Sequence, residues 1–150
     1  MAVPADVVTG ETIASEWGND IRDWAALGEV DNSTEVAAVA LTASMADVAS
    51  VSLSIPVEWL AWSCAVYASW GAGEAAGSGA YHYLIRIDGT DQQDNVSTLG
   101  AILATGNSVG GRRTGMVTTG SRTVSVRMQE TSGQVTVSDI YLYARAVRTA

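Results

Sequence analysis

Residues 60–70 read Leu60-Ala61-Trp62-Ser63-Cys64-Ala65-Val66-Tyr67-Ala68-Ser69-Trp70, with large apolar side chains falling mostly on alternate positions. Leu60, Trp62, Cys64, Val66 and Trp70 take one side of an extended chain, and Ala61, Ser63, Ala65, Tyr67 and Ser69 take the other. Successive side chains of extended backbone point to opposite faces, so this period of two predicts a half-buried strand. The same period recurs on both sides of it. Val51, Leu53 and Ile55 alternate with serines until Pro56 ends the run. Tyr81, Tyr83, Ile85 and Ile87 alternate with His82, Leu84 and Arg86, and Val124, Val126 and Met128 with Thr123, Ser125 and Arg127.

The last run changes parity. Val135 and Val137 share one face, whereas Ile140, Leu142, Ala144 and Ala146 share the other. Either a bulge sits near Ser138-Asp139, or Tyr141 and Tyr143 cover a second apolar surface. Turn-forming stretches separate the runs: Gly71–Gly79, Asp88-Gly89-Thr90-Asp91, Gly106-Asn107, Gly110-Gly111 and Thr131-Ser132-Gly133. From about Val36 this spacing predicts six to eight strands without intervening helices, a mostly β chain folded as an antiparallel β-sandwich or jelly roll.

Before it the period is helical. Ile13, Trp17, Ile21 and Trp24 recur at spacings of 4, 4 and 3, which places them on one stripe of a short helix. Thr12 is a suitable N-cap, Glu11 and Glu16 suit the positive end of the helix dipole, and Gly28 a stop. Gly18 weakens the helix by about 1 kcal/mol relative to alanine. Two tryptophans on so short a helix need a covering surface, either the chain's own domain or a neighbouring molecule. Glu29–Glu35 reads as a polar connection. The organisation expected is thus an N-terminal arm and amphipathic helix over residues 1–35 and a β-sandwich over 36–150.

A chain of 150 residues, 47% apolar and 16% charged, suits one domain with an ordinary packed core. No stretch reaches the roughly 18 apolar residues of a membrane helix, and Met1–Asp6 lacks the basic start of a signal peptide, so cytoplasmic synthesis is expected. The net charge of −8 argues against nucleic acid as partner. Residues 1–94 hold 14 acids and two arginines, and residues 95–150 six arginines and two acids. These halves can attract within one fold or between subunits.

Catalysis lacks parts. His82 is the one histidine, in a strand pattern with no nucleophile marked beside it, and its expected role is structural. Cys64, the one cysteine, reads as a small core residue. One cysteine and one histidine make a zinc site improbable, so neither catalytic residues nor a cofactor are expected. Asp88, Asp91 and Asp94 form a weak candidate for a hard cation, against the plainer reading of a solvated Asp-Gly turn. Arg112 and Arg113 form either a solvated loop or a pair that meets a neighbour's acids. A glycan could be met by Tyr81, His82, Tyr83 or the Gly71–Gly79 loop.

The stretch Val7–Asp23, with Trp17-Gly18-Asn19 inside it, resembles a short opening segment found before the β domain of many bacteriophage virion proteins; here Gly18 separates Trp17 from Asn19. Gly120–Met128 followed by Val135–Leu142 resembles a hairpin of the jelly rolls of tumour-necrosis-factor-like and C1q-like domains, which occur in phage head fibres, decoration proteins and tail-fibre tips. The resemblance implies a virion protein, made in the host cytoplasm, that forms a homo-oligomer, a trimer above all. It implies contact with the phage major capsid protein or with tail proteins. Ile13, Trp17, Ile21, Trp24, Arg112 and Arg113 are the candidate docking residues. The function expected is capsid decoration or a head fibre; the alternative is a tail-fibre adhesin that recognises a host-surface glycan.

Overall fold

The computed structural model describes residues 28–74, 79–99 and 104–150. The predicted helix, with Ile13, Trp17, Ile21 and Trp24, lies outside these residues. Eight strands follow in order: β1 (Glu29–Ala40), β2 (Ala46–Ile55), β3 (Trp62–Glu74), β4 (Gly79–Ile87), β5 (Thr90–Leu99), β6 (Ala104–Met116), β7 (Gly120–Ser132) and β8 (Val135–Arg148). They make two four-stranded antiparallel sheets, sheet A in the order β1-β8-β3-β6 and sheet B in the order β2-β7-β4-β5. Successive strands change sheet at every connection except β4–β5. That is the strand order of an eight-stranded jelly roll.

Alternate residues of both sheets meet in one core. Sheet A contributes Trp62, Cys64, Val66, Ala68 and Trp70 of β3, and sheet B contributes Leu53, Tyr81, Ile85, Val124 and Val126. Each large aliphatic side chain taken fully out of water supplies about 1.5–3 kcal/mol, so this interleaved face is what holds the layers together. Leu60 departs from the predicted alternation. The strand begins at Trp62, Leu60 stands in the β2–β3 turn at 75% exposure, and Trp59 beside it is buried.

The parity change in β8 is a bulge. Val137 and Ile140 are both fully buried although three positions apart. Between Ser69 and Gly71 the β3–β8 register slips by one residue, and Asp139 takes up the extra residue at φ 51°. β1 follows β8 through this without a slip, Val36 opposite Ile140 and Val39 opposite Val137. Tyr141 and Tyr143 therefore point away from the core.

Three sequence expectations are corrected. Glu29–Glu35 is no connection but the first half of β1, whose polar residues suit an edge strand paired on one side only. Gly106-Asn107 and Gly110-Gly111 are not turns; β6 runs through them because β3 pairs with it in one register from Arg113 to Asn107, with a register shift at each end before Met116 and Ala104. Gly120–Met128 and Val135–Leu142 do not pair as a hairpin. β7 lies between β2 and β4 in sheet B and β8 between β1 and β3 in sheet A, so both ladders of each are already filled. The Asp88-Gly89 turn is the hairpin: Ile87 pairs with Thr90, and φ values of 47° and 75° match the primed two-residue turn that strand twist favours.

Candidate functional site

The register of sheet A sets out its outer face in rungs that cross all four strands. One runs Ser33, Tyr143, Tyr67, Gly110; the next on one side runs Asp31, Arg145, Ala65, Arg112; that on the other runs Glu35, Tyr141, Ser69, Ser108. Three tyrosines thus stand on this face, with glycine, alanine and serine beside Tyr67 on β3 and β6. Tyr67 is 47% exposed, and Tyr141 and Tyr143 are half-buried.

Charge is graded across this face. The β1 edge carries Glu29, Asp31 and Glu35, while the β6 edge carries Arg112 and no acid. Arg145 is held by Glu29 with nitrogen–oxygen distances of 2.6 Å, and the Tyr143 hydroxyl donates to Asp31 at 3.2 Å. Partial desolvation, helped by the Asp31 carboxylate, raises the Tyr143 phenol above its ordinary value. Among the described residues neither Glu35 nor Arg112 is ion-paired. A cleft of about 520 Å³ opens at the bulge, lined by Glu35, Val36, Ala37, Asp139, Ile140 and Tyr141.

Sheet B's outer face is different, because its charges answer one another. Arg86 holds Asp91 with distances of 2.5 and 3.0 Å, keeping that carboxyl below its usual range. Arg127 donates to Asp47 at 3.0 Å, and the Ser125 hydroxyl donates to the same oxygen at 3.1 Å.

The residues singled out in the sequence separate in space. Asp88 accepts from the Thr118 hydroxyl at 3.0 Å and from Arg122 at 3.4 Å, and Asp91 is taken by Arg86. Guanidinium groups therefore occupy the positions a cation would need beside these two carboxylates. Asp94 stands in β5 opposite Leu84. Arg112 and Arg113 face opposite ways. Arg113 turns inward and donates to the Ile87 and Asp88 carbonyls at 2.8 and 3.3 Å, tying β6 to the β4–β5 hairpin, whereas Arg112 is exposed. Tyr81 is fully buried, so it is no surface for a glycan, and His82 is half-buried on β4. Cys64 is buried, and desolvation pushes its thiol up to about 11.

The sequence offers Tyr141 and Tyr143 as covering a second surface, as the alternative to a bulge, but does not bring Tyr67 beside them. A signal for the whole face was present: Tyr67, Tyr141 and Tyr143 occupy the polar side of two alternating strands, where serine and threonine would suffice for solubility.

No family model matches this chain, and no curated protein matches it. Among solved structures, a protein of disulfide-linked pili from Bacillus endospore appendages is similar at 16% identity and a TM-score of 0.39, covering 83% of this chain and 95% of that one. The sugar-binding EclA C-terminal domain is similar at 10% identity and TM-score 0.40, covering 74% of this chain and 76% of the other. An infectious bursal disease virus structure is similar at 10% identity and TM-score 0.36, and 81% of this chain covers 37% of that one. These neighbours are all rich in β structure, and at such scores they bear on nothing beyond that.

Proposed function

We propose that this chain is a structural protein that works as a symmetric homo-oligomer assembled through the outer face of sheet A, and that it decorates a bacteriophage capsid as a cement protein or head fibre. The observation that carries the oligomer is the rung Tyr143–Tyr67, with acids at one edge of its sheet and Arg112 at the other. Tyr67 is 47% exposed and Tyr141 and Tyr143 are half-buried, so the uncovered parts of the three rings supply a centre for an interface whose standard size is roughly 800 Å² per partner. The polarity of the face lets the β1 edge of one copy meet the β6 edge of the next, a head-to-tail contact that makes a ring when the rotation between copies closes. A trimer is the number the sequence resemblance favours. The virion assignment rests on the resemblance carried by Val7–Asp23 and on the jelly-roll strand order, since β7 and β8 do not form the hairpin that the sequence likeness implied. Adding the purified chain to capsids that lack it is the test: saturable binding with raised resistance to heat supports decoration, and absence of binding contradicts it.

A second reading is favoured by the cleft at the β1–β8 bulge. It joins the Tyr141 ring to the Glu35 and Asp139 carboxylates, a set that can stack on a sugar's apolar face and accept its hydroxyls. In this reading the chain is a tail adhesin. It predicts binding to whole host cells that cell-wall sugar competes and that Tyr141→Ala abolishes.

A further inference from the structure

One end of the sandwich carries an apolar surface that the β domain leaves open. The β2–β3 turn and the β6–β7 connection lie together there, joined by the Trp62 indole N–H donating to the Thr118 carbonyl at 2.8 Å. Val57 is 82% exposed, Leu60 75% and Val117 67%, the highest values among the exposed large apolar residues described. Single exposed apolar side chains are ordinary, but three gathered on neighbouring loops mark a contact surface.

The chain enters the sandwich at the same end. The Arg148 N–H donates to the Gly28 carbonyl at 2.8 Å, and the Leu60 and Ala61 N–H groups donate to the Ala150 carbonyl at 2.9 and 3.1 Å. Gly28 lies against the indole of Trp59 so closely that a Cβ there would overlap the ring. Trp59 therefore holds Gly28 next to Leu60. Trp24 is four residues before Gly28, so it stands within about 14 Å of it even in a fully extended chain.

We infer that the Trp17, Ile21 and Trp24 stripe docks on Val57, Leu60 and Val117 of its own chain. Both surfaces are apolar. The short tether makes the contact intramolecular at an effective concentration on the order of millimolar, which favours the chain's own end over a capsid or a second copy. This assigns the stripe to the domain that follows it, and it stands whether or not the chain belongs to a virion.

The test uses the full chain with cysteine pairs: Trp24→Cys or Ile21→Cys, each combined with Val57→Cys, Leu60→Cys or Val117→Cys. A disulfide requires Cα atoms closer than about 7 Å, so six pairs allow for register. Buried Cys64 stays in place, with single-cysteine variants as controls. Mild oxidation is expected to give at least one intrachain bond, seen as a faster, reducible band of monomer size. Bonds only between chains, or none in any pair, overturn the inference. A second readout needs no new thiol. In the Trp17→Ala/Trp24→Ala chain, hydrogen exchange of amides 57–61 and 117–119 is expected to rise at least tenfold while the β3 and β8 amides keep their protection. Unchanged exchange in those loops overturns it as well.

Discussion

Trp70 of sheet A donates its indole N–H to the hydroxyl of Tyr81 of sheet B, 2.8 Å away, with both side chains buried. Tyr83 closes the group edge-on to Trp70, ring centroids 5.0 Å apart. A polar bond across an apolar core fixes how the sheets sit on each other, because sliding either one orphans a buried donor. Tyr81→Phe leaves the indole N–H unpaired and is expected to cost about 1–3 kcal/mol, read from the urea midpoint. A variant as stable as the parent contradicts this role.

The bulge at Asp139 makes a second case. A left-handed φ of 51° strains most side chains, aspartate less than β-branched ones, and is free of steric cost for glycine. Asp139→Gly should therefore hold or raise stability, by up to about 1 kcal/mol, whereas the β-branched Asp139→Val should lower it by about 1–2 kcal/mol. Deleting Asp139 turns Val135 and Val137 outward and should abolish folding, as circular dichroism would show.

Cys64 is expected to be inert while the chain is folded. Burial pushes its thiol up to about 11, so at pH 8 almost none is thiolate and reagent access is blocked. Labelling by a disulfide reagent should follow the rate of unfolding. Fast labelling of the folded chain would place Cys64 nearer the surface than its position in β3 allows.

Tyr143 predicts a pH effect with a definite sign. Its phenol is raised in the folded chain, so the folded state holds its proton more firmly than the unfolded state does. Stability should be unaffected by this group below the ordinary phenol range near pH 10 and fall as pH rises through and beyond it. Absorbance titration of the parent against Tyr143→Phe checks the sign, and Asp31→Asn should move the titration back down.

Much of this architecture is legible in the residues. Period two in β2, β3, β4 and β7 gives strands and their buried faces, and the jump from Val137 to Ile140 signals the bulge. The edges are harder. β1 and β6 carry few large apolar side chains, so no period stands out in them, and they read as a polar connection and as glycine turns. Sheet membership of β7 and β8 is equally hidden, because a short turn suits a hairpin as well as a crossing between layers. The tyrosine face depends on register: Tyr67 and Tyr143 are 76 positions apart in a chain where no local pattern connects them.

Assembly through that face is the central claim, and light scattering coupled to size exclusion tests it most directly. The full chain has a mass of 15.6 kDa. The account predicts a defined multiple of it, three above all, that falls to the single-chain mass in Tyr67→Asp/Arg112→Glu while far-ultraviolet circular dichroism stays unchanged. A parent chain that remains monomeric at every concentration, or a variant that keeps the parent's mass, would contradict it.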